Sequence, residues 1–433
     1  MPDRTADLLV KVRQHHLPGL NLGDQFIYPN YAGGSILNLP TSVCRWLGVP
    51  EIGAGPLTAD LLDPLGENFR RVILIVMDAL ALHRMQRWMA NGLAPVWRRL
   101  LEDGSLAKSA LLAPLTSIVP STTSAALTSL WTGASATEHA ITGYEMWMKE
   151  YGVVANTILH TPSSFRGDAG SLMQAGFDPV NFLPFTPLGM HLAVHGVASF
   201  AFQHASILHS GLSQMFFRDV KSQGFLTASD LWVNLRMFME RQPDSKQYIY
   251  VYWSEIDTFS HRYGPDDERT AEEFNTFGTA LERLFLERLS PAARQNTLLV
   301  LIADHGQIAT RRDPHYELRN HASLTRRLHI LPSGENRLAY FFIRPGQTEA
   351  VLEYLERTWP DQFAVLDTVY AVETGLFGPG TPHPRLLDRL GDVIVTARGD
   401  AYLWWADKEN HLIGRHGGLH PEEMLVPFLA ASL

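Results

Sequence analysis

Three apolar segments, far apart in the chain, each run into an acidic residue. Residues 71–77 (RVILIVM) precede Asp78, residues 247–257 (QYIYVYWSEID) end at Asp257, and residues 296–306 (NTLLVLIADHG) contain Asp304. Continuous apolar runs of this length are typical of parallel strands covered on both faces. Because ligands bind beyond the carboxyl ends of parallel strands, we expect the three acids to converge at one rim of a sheet.

Helical patterns lie between these strands, at residues 83–92, 94–104, 123–133 and 268–289. Strands that alternate with helices predict an α/β fold with a doubly wound, mostly parallel sheet. A less certain strand lies at 206–211. We expect one domain over residues 1–433, with residues 160–245 as an inserted segment facing the substrate and residues 322–400 as a smaller α/β subregion.

Composition narrows the function classes. The net charge of -9, from 45 acids and 36 bases, argues against a nucleic-acid polymer as partner. It does not argue against a small phosphoester, because bound divalent metals invert the local field. The single Cys44 allows no intramolecular disulfide and is expected to be buried. No signal-peptide pattern and no apolar run of about 20 residues is present. These features predict a cytoplasmic protein without a membrane span and leave its oligomeric state open.

Several acidic and histidine residues have the spacing of metal ligands. Asp257 and His261 are four residues apart, so both would reach one ion from a helix face or from a loop, and the following Tyr-Gly-Pro favours a loop. Asp304 and His305 precede a glycine that permits a sharp bend. Asp78 alone is equally readable as a helix N-cap.

A candidate nucleophile lies in the segment PSTTSAALTSLWTG, residues 120–133. Thr123 would stand near a helix N-terminus, where N–H groups favour an anion. Ser121, Thr122 and Thr123 are all also candidate caps, and spacing alone does not choose among them. Late in the chain His416 precedes two glycines, with His420 as a rival ligand at an ordinary helix start. His204 and His209 are weaker candidates for the substrate region.

Taken together, these residues resemble the alkaline phosphatase superfamily, nearest its type I phosphodiesterase and nucleotide pyrophosphatase branch. The resemblance covers about residues 70–430. Its motifs are an Asp after the first strand, P-x-x-T before a helix ending in TG, then DxxxH, DH and a late HG. In this chain the motifs are Asp78, Pro120 to Thr123, Thr132-Gly133, Asp257 with His261, Asp304-His305 and His416-Gly417.

The resemblance implies a role for each of these positions. Asp78, Thr123, Asp304 and His305 would surround one divalent metal, most simply zinc, and Asp257, His261 and His416 would hold a second. Thr123 would attack phosphorus to give a phosphothreonine, which water then hydrolyses. One departure concerns substrate binding: Tyr144 stands where the nucleotide pyrophosphatases usually carry an Asn that contacts a phosphate oxygen. In addition, His139 is followed by Ala140 rather than by glycine.

The expected function is therefore a two-zinc phosphodiesterase or nucleotide pyrophosphatase that acts on a small-molecule phosphoester. A phosphomonoesterase or a phosphomutase on the same site and a non-catalytic binding member of the fold are the alternatives. No arginine stands beside Thr123 in the sequence, whereas phosphomonoesterases of this fold need extra cationic groups for a doubly charged phosphate. That comparison favours diesters.

Overall fold

The computed structural model of the chain describes residues 2–102, 104–164 and 168–433. Its strands form two large sheets and one small ribbon. They are β1 Arg71–Met77, β2 Ser109–Thr116, β3 Glu145–Met148, β4 Val153–Asn156, β5 Thr161–Pro162, β6 Ala198–His204, β7 Val220–Phe225, β8 Gln247–Trp253, β9 Thr297–Ile302, β10 Ile308–Ala309, β11 Ser333–Glu335, β12 Leu338–Phe341, β13 Phe363–Asp367, β14 Val393–Ala397, β15 Gly414–Arg415 and β16 Leu425–Ser432.

The α-helices are distributed along the whole chain. They are α1 Thr5–Gln14, α2 Leu39–Trp46, α3 Ala59–Leu62, α4 Leu82–Ala90, α5 Val96–Glu102, α6 Thr123–Thr132, α7 Ala136–His139, α8 Leu188–Val194, α9 Gly211–Phe216, α10 Ala228–Arg241, α11 Glu255–Tyr263, α12 Glu268–Ala280, α13 Pro291–Arg294, α14 Ala322–Thr325, α15 Thr348–Thr358, α16 Thr368–Glu373, α17 Leu386–Leu390 and α18 Pro421–Met424. A π-helical segment, Leu281–Leu286, extends α12.

The central sheet has the strand order β2-β16-β9-β1-β8-β6-β7. Neighbours from β9 to β7 pair in parallel, whereas β16 is antiparallel to both β9 and β2. Strands β1, β8 and β9 are buried along their entire length, as expected for strands covered on both faces. The predicted mixed α/β fold with a large, mostly parallel sheet is confirmed.

The segment at residues 160–245 is tied to this central sheet. Its strands β6 and β7 form one edge, with β6 paired to β8. The predicted strand at 206–211 is wrong: the strand β6 ends at His204, and residues 205–207 form a 3-10 turn before α9. Side-chain bonding by His204 and Ser210 to following backbone N–H groups explains why turns replace a strand there.

The second sheet is entirely antiparallel, in the order β13-β14-β12-β11-β3-β4-β5. Four of its strands come from residues 333–397, inside the segment predicted as a smaller α/β subregion. The other three come from residues 145–162, which are distant in sequence. This sheet is the main feature that sequence periodicity did not indicate, because β3, β4 and β5 are only two to four residues long.

The largest apolar cluster packs around the central sheet and includes Cys44, which is fully buried as expected. A second cluster joins the N-terminal segment to the second sheet. Among the described residues, no helix combines the length and the apolar character that crossing a bilayer requires.

Candidate active site

The acids at the strand ends lie at one rim of the central sheet. Asp78 directly follows β1, Asp304 comes two residues after β9, and Asp257 lies in the first turn of α11, just after β8. Because β1 pairs with both β8 and β9 in parallel, the three strands end side by side. Single oxygen or nitrogen atoms of Asp78, Asp257 and His305 fall within 4.8 Å of one another.

The first group of side chains surrounds Thr123. Its Oγ1 lies 3.1 Å from His305 Nε2 and 3.5 Å from Asp78 Oδ2. The same His305 nitrogen is 3.4 Å from Asp78 Oδ1 and 3.6 Å from Asp304 Oδ2. All four residues predicted for the first metal therefore meet around one point.

The second group consists of Asp257, His261 and His416. Asp257 Oδ1 lies 3.3 Å from His261 Nε2 and 3.8 Å from His416 Nε2. Asp257 and His261 belong to the helix α11, so the expectation that the Tyr-Gly-Pro segment holds them on a loop is wrong. Their four-residue spacing places both on one helix face, and the helix ends only at Gly264. The His416 ring stacks on His305, with centroids 3.9 Å apart, which joins the two groups.

A backbone carbonyl orients each of the three histidines. The Nδ1 atoms of His261, His305 and His416 lie 2.8, 2.9 and 3.1 Å from the oxygens of Gly414, Gly306 and Ser121. Because a carbonyl only accepts, each Nδ1 donates a proton to it, and each Nε2 is directed at the carboxylates. This is the ring orientation that metal-binding histidines adopt.

The site collects negative charge and lone pairs without a protein cation to balance them. Burial, and then the charges of Asp304 and Asp257, raise the pKa of Asp78 well above its usual range. Burial, followed by the neighbouring His305 and His261, lowers the pKa of His416. In the described part of the chain, Asp78, Asp257 and Asp304 form close ion pairs only with histidines, not with lysine or arginine.

Two buried carboxylate oxygens of this site, Asp78 Oδ1 and Asp304 Oδ2, also have no hydrogen-bond partner among the residues that the structure describes. An unpaired buried charge is costly, so such atoms are usually metal ligands or catalytic groups. The companion oxygens are held in place, since Tyr252 donates to Asp78 Oδ2 and the Ala79 N–H donates to Asp304 Oδ1 at 3.2 Å. The donor set and its geometry fit divalent cations.

The helix α6 places Thr123 at the floor of the site. Thr122 is its N-cap residue by backbone conformation, but the Thr122 hydroxyl makes no capping bond and instead donates to Glu335 Oε1 at 2.6 Å. Thr123, the first helical residue, keeps its hydroxyl pointed at His305 and Asp78. Of the two neighbouring threonines, Thr123 is therefore the one beside Asp78, whereas Thr122 is beside Glu335.

Tyr144 borders the site from the second sheet side. Its side chain is 41% exposed, and its backbone N–H donates to Glu335 Oε1 at 2.6 Å. The Tyr144 N–H and the Thr122 hydroxyl therefore donate to the same oxygen of Glu335. Burial raises the pKa of Glu335 to about 8.

A cleft of about 320 Å³ opens above Thr123. The central-sheet side contributes Thr122, Thr123, Asp257 and His261 to it. The opposite wall comes from the second sheet and from the segment that leads to His416. Its lining residues are Tyr144, Glu145, Ile158, Gly334, Glu335, Asn336, Trp404, Trp405, Ala406, Lys408, Leu412, Arg415 and His416. These lining residues all fall outside 160–245, so a substrate contact by that segment remains a prediction.

Sequence reasoning missed several residues that shape this site. Tyr252 lies on β8 in register with Val76 and reaches Asp78 across the strand pair. Gln307, fully buried, donates from Nε2 to Asp257 Oδ1. Gln307 follows Asp304-His305-Gly306 directly, so its adjacency could have marked it. No local signal identifies Tyr252 or Glu335.

The secondary histidine candidates have other partners. His420 Nδ1 accepts from the Glu422 N–H at 3.2 Å and so caps α18. Of the two late histidines, His416 is therefore the one beside Asp257. His204 Nδ1 lies 2.7 Å from the Ser206 hydroxyl, and His209 is exposed. Neither His204 nor His209 is among the described residues that line the cleft.

Comparison with known proteins identifies relatives of this fold. The sequence model for type I phosphodiesterase / nucleotide pyrophosphatase matches residues 72–419. Murine ectonucleotide pyrophosphatase / phosphodiesterase 5 is similar in structure with a TM-score of 0.60 at 17% identity, over 83% of this chain and 87% of that one. Phosphonoacetate hydrolase from Sinorhizobium meliloti, solved in complex with phosphonoformate, gives 0.58 at 17% identity, over 83% and 89%. A comparison with curated proteins found no match.

Proposed function

Because the chain belongs to the type I phosphodiesterase / nucleotide pyrophosphatase family, we propose that it is a metal-dependent hydrolase of small-molecule phosphodiesters. Phosphoester hydrolysis follows from the family. Two bound zinc ions, Thr123 as the nucleophile and the preference for diesters are the finer parts of the proposal. The structures similar to it include an inactive form of murine ectonucleotide pyrophosphatase / phosphodiesterase 5 in complex with AMP and the phosphonoacetate hydrolase in complex with phosphonoformate. Both ligands are small phosphorus-containing molecules.

One observation carries the proposal. Three histidine Nε2 atoms converge beside one threonine hydroxyl, together with two buried carboxylate oxygens that have no hydrogen-bond partner among the described residues. Buried carboxylates that face one another repel unless cations lie between them. Asp78, Thr123, Asp304 and His305 would hold one ion, and Asp257, His261 and His416 the other.

When bound, such ions would lower the pKa of the Thr123 hydroxyl and offset the charge that develops on the phosphoryl oxygens. The chain itself supplies position. α6 begins at Thr123, so its free N–H groups face the incoming phosphate. Thr123 Oγ1 gives up its proton to solvent and forms a bond to phosphorus as the bond to the leaving oxygen breaks, and the departing alcohol takes a proton from solvent. Water then cleaves the bond between phosphorus and Thr123, which releases a phosphomonoester and restores the Thr123 hydroxyl.

Substitution of the two neighbouring threonines tests the nucleophile. Thr123→Ala should reduce turnover of bis-p-nitrophenyl phosphate by about 10³-fold or more, since it removes the attacking atom. Zinc content, measured by atomic emission, should stay near the wild-type value because the aspartates and histidines remain. Thr122→Ala is the matched control and should retain measurable turnover. Wild-type activity in Thr123→Ala would exclude Thr123 as the nucleophile.

Substrate comparison in the same assay separates the alternatives. Chelator-sensitive turnover of bis-p-nitrophenyl phosphate above that of p-nitrophenyl phosphate is the expected result. Higher turnover of the monoester would favour a phosphomonoesterase. Hydrolysis of neither ester, with metal bound, would favour a phosphomutase or a non-catalytic binding member of the fold.

A further inference from the structure

Glu335, which the proposed mechanism does not use, lies in the cleft wall that the second sheet forms. Its side chain is 8% exposed, and it sits on β11 between the nucleophile segment and the His416 segment. The Thr122 hydroxyl reaches its Oε1 at 2.6 Å on one side. On the other side, a Cβ added to Gly417 would lie only 2.3 Å from the Glu335 Cβ. The Glu335 carboxylate is therefore next to the residues that follow His416 and precede Thr123.

The two oxygens of Glu335 have different surroundings. Oε1 accepts both the Thr122 hydroxyl and the Tyr144 N–H, each at 2.6 Å. Among the described residues, none forms a hydrogen bond to Oε2, and Glu335 is part of the cleft wall. Oε2 is therefore the oxygen left to meet the bound substrate.

No protein cation neutralises Glu335. In the part of the chain that the structure describes, no lysine or arginine forms an ion pair with it. Arg415, which lines the same cleft, is engaged by the Leu412 carbonyl at 3.1 Å and stacks on Tyr402 at 3.7 Å. Both donors to Oε1 favour the ionised carboxylate, and cations bound at the adjacent groups would favour it further.

We infer that Glu335 is a specificity-determining residue that disfavours doubly charged phosphomonoesters and so selects singly charged diesters. The inference rests on the proposed function. A monoester loses its second proton with a pKa of about 6 and then carries one more negative charge than a diester. A fixed carboxylate beside the phosphoryl group repels that additional charge, and the low polarity of a buried site strengthens the repulsion.

Three p-nitrophenyl substrates separate charge from shape. Bis-p-nitrophenyl phosphate is the diester, p-nitrophenyl phosphate is the dianionic monoester, and p-nitrophenyl methylphosphonate is close to the monoester in size but carries one charge. kcat/KM is measured for each on the zinc-loaded protein at pH 9, above the raised pKa of Glu335, about 8. The quantity compared is the ratio of monoester to methylphosphonate.

Glu335→Gln removes the charge and keeps an Oε1 that accepts both existing hydrogen bonds. We expect it to raise the ratio of monoester to methylphosphonate by about tenfold or more. Glu335→Asp retains the charge, so its ratio should stay near that of the wild type even if all rates fall. Glu282→Gln is the matched control, because Glu282 is a buried glutamate paired with Arg99 that does not line the cleft. Its ratio should also stay near the wild-type value.

The results distinguish this inference from the proposed function. Diester hydrolysis by the wild type with an unchanged ratio in Glu335→Gln would overturn only the role of Glu335. A shift in Glu335→Asp as large as that in Glu335→Gln would also overturn it, since geometry rather than charge would then be responsible. Failure of the wild-type protein to hydrolyse any of the three esters would overturn the proposed function and this inference with it.

Discussion

At the scale of single residues, the site depends on groups that fix the candidate ligands rather than on the ligands alone. Ala79 adopts a left-handed backbone conformation, with φ of 63°, and its N–H donates to Asp304. A non-glycine residue in this conformation costs about 1–2 kcal/mol, a strain that is commonly stored at functional sites. Here the turn links Asp78 to Asp304, two acids that would otherwise repel each other.

Tyr252 has a corresponding role on the other side of Asp78. Tyr252→Phe removes the hydroxyl that holds Asp78 Oδ2. We expect it to weaken zinc binding by about 10–100-fold, because groups that orient metal ligands contribute to affinity on this scale. Competition with a fluorescent zinc chelator measures the change.

The control for Tyr252 lies two residues earlier on the same strand. In the part of the chain that the structure describes, the Tyr250 hydroxyl makes no hydrogen bond to a candidate metal ligand, so Tyr250→Phe should leave zinc affinity unchanged. Equal loss of affinity in both variants would show that the substitution disturbs β8 as a whole and that the Tyr252 hydroxyl has no particular role.

At the scale of elements, the helix α6 is positioned by both of its ends. Its N-terminus is held through Thr122 and Glu335, and its C-terminus ends at Gly133, with φ of 69°. A Cβ on Gly133 would lie 3.0 Å from the Cα of Gly53 and from the Ile52 carbonyl. The TG at the end of this helix therefore serves helix termination and close packing, whereas the chemistry belongs to the first turn.

Gly133→Ala tests this packing against backbone strain alone. It should lower the free energy of unfolding by about 2–4 kcal/mol, the sum of the left-handed conformation and the contact with Gly53. Gly92 also ends a helix with positive φ, 83°, but has no heavy atom within 4 Å of an added Cβ. Gly92→Ala should therefore cost only about 1–2 kcal/mol in urea unfolding. Equal losses would contradict the packing role of Gly133.

At the scale of the whole molecule, the two sheets meet at the cleft. The central sheet presents the candidate metal ligands, and the antiparallel sheet closes the opposite wall with Tyr144, Glu145 and Glu335. Within the antiparallel sheet, glycines let the segment before β3 pack closely on β11, since a Cβ on Gly143 would lie 2.7 Å from the Gly334 Cα. A site assembled from both sheets couples metal binding to the stability of the complete fold.

This coupling predicts opposite effects of pH with and without metal. Burial, Asp304 and Asp257 raise the pKa of Asp78 in the folded chain, so the metal-free folded state holds a proton that the unfolded state has lost. The contribution of Asp78 to the stability of the chelated protein should therefore fall as pH rises from about 4, the ordinary pKa of Asp, through the raised value. Zinc binding requires the ionised form, so zinc should restore stability most at high pH.

Thermal melting between pH 5 and pH 9, with and without chelator, measures the effect. Asp78→Asn removes the titrating group, so the chelated variant should lose less stability over this range than the chelated wild type. Equal changes of melting temperature with pH in the chelated variant and the chelated wild type would contradict the prediction.

The sequence by itself determined the three central strands β1, β8 and β9 and the acids that follow them. Long apolar runs specify buried parallel strands, and the residue that ends each run must lie at the rim whatever the rest of the chain does. For this reason Asp78, Asp304 and His305 were identifiable from a single sequence, and Thr123, Asp257, His261 and His416 from motif order. Zinc, the phosphothreonine and the cytoplasmic location remain predictions.

Only the tertiary structure decided the wall that faces these residues. The short strands β3, β4 and β5 carry too few residues for a periodic signal. Of the three, β3 joins them to the rest of the sheet by pairing with β11 almost 200 residues later in the chain, as the pairing of Glu145 with Gly334 shows. Tyr252 and Glu335 acquire their positions from pairing between strands that are distant in sequence, which local patterns do not encode. Local sequence identifies the candidate metal ligands, whereas the charge and shape of the cleft follow from packing between segments that are distant in the chain.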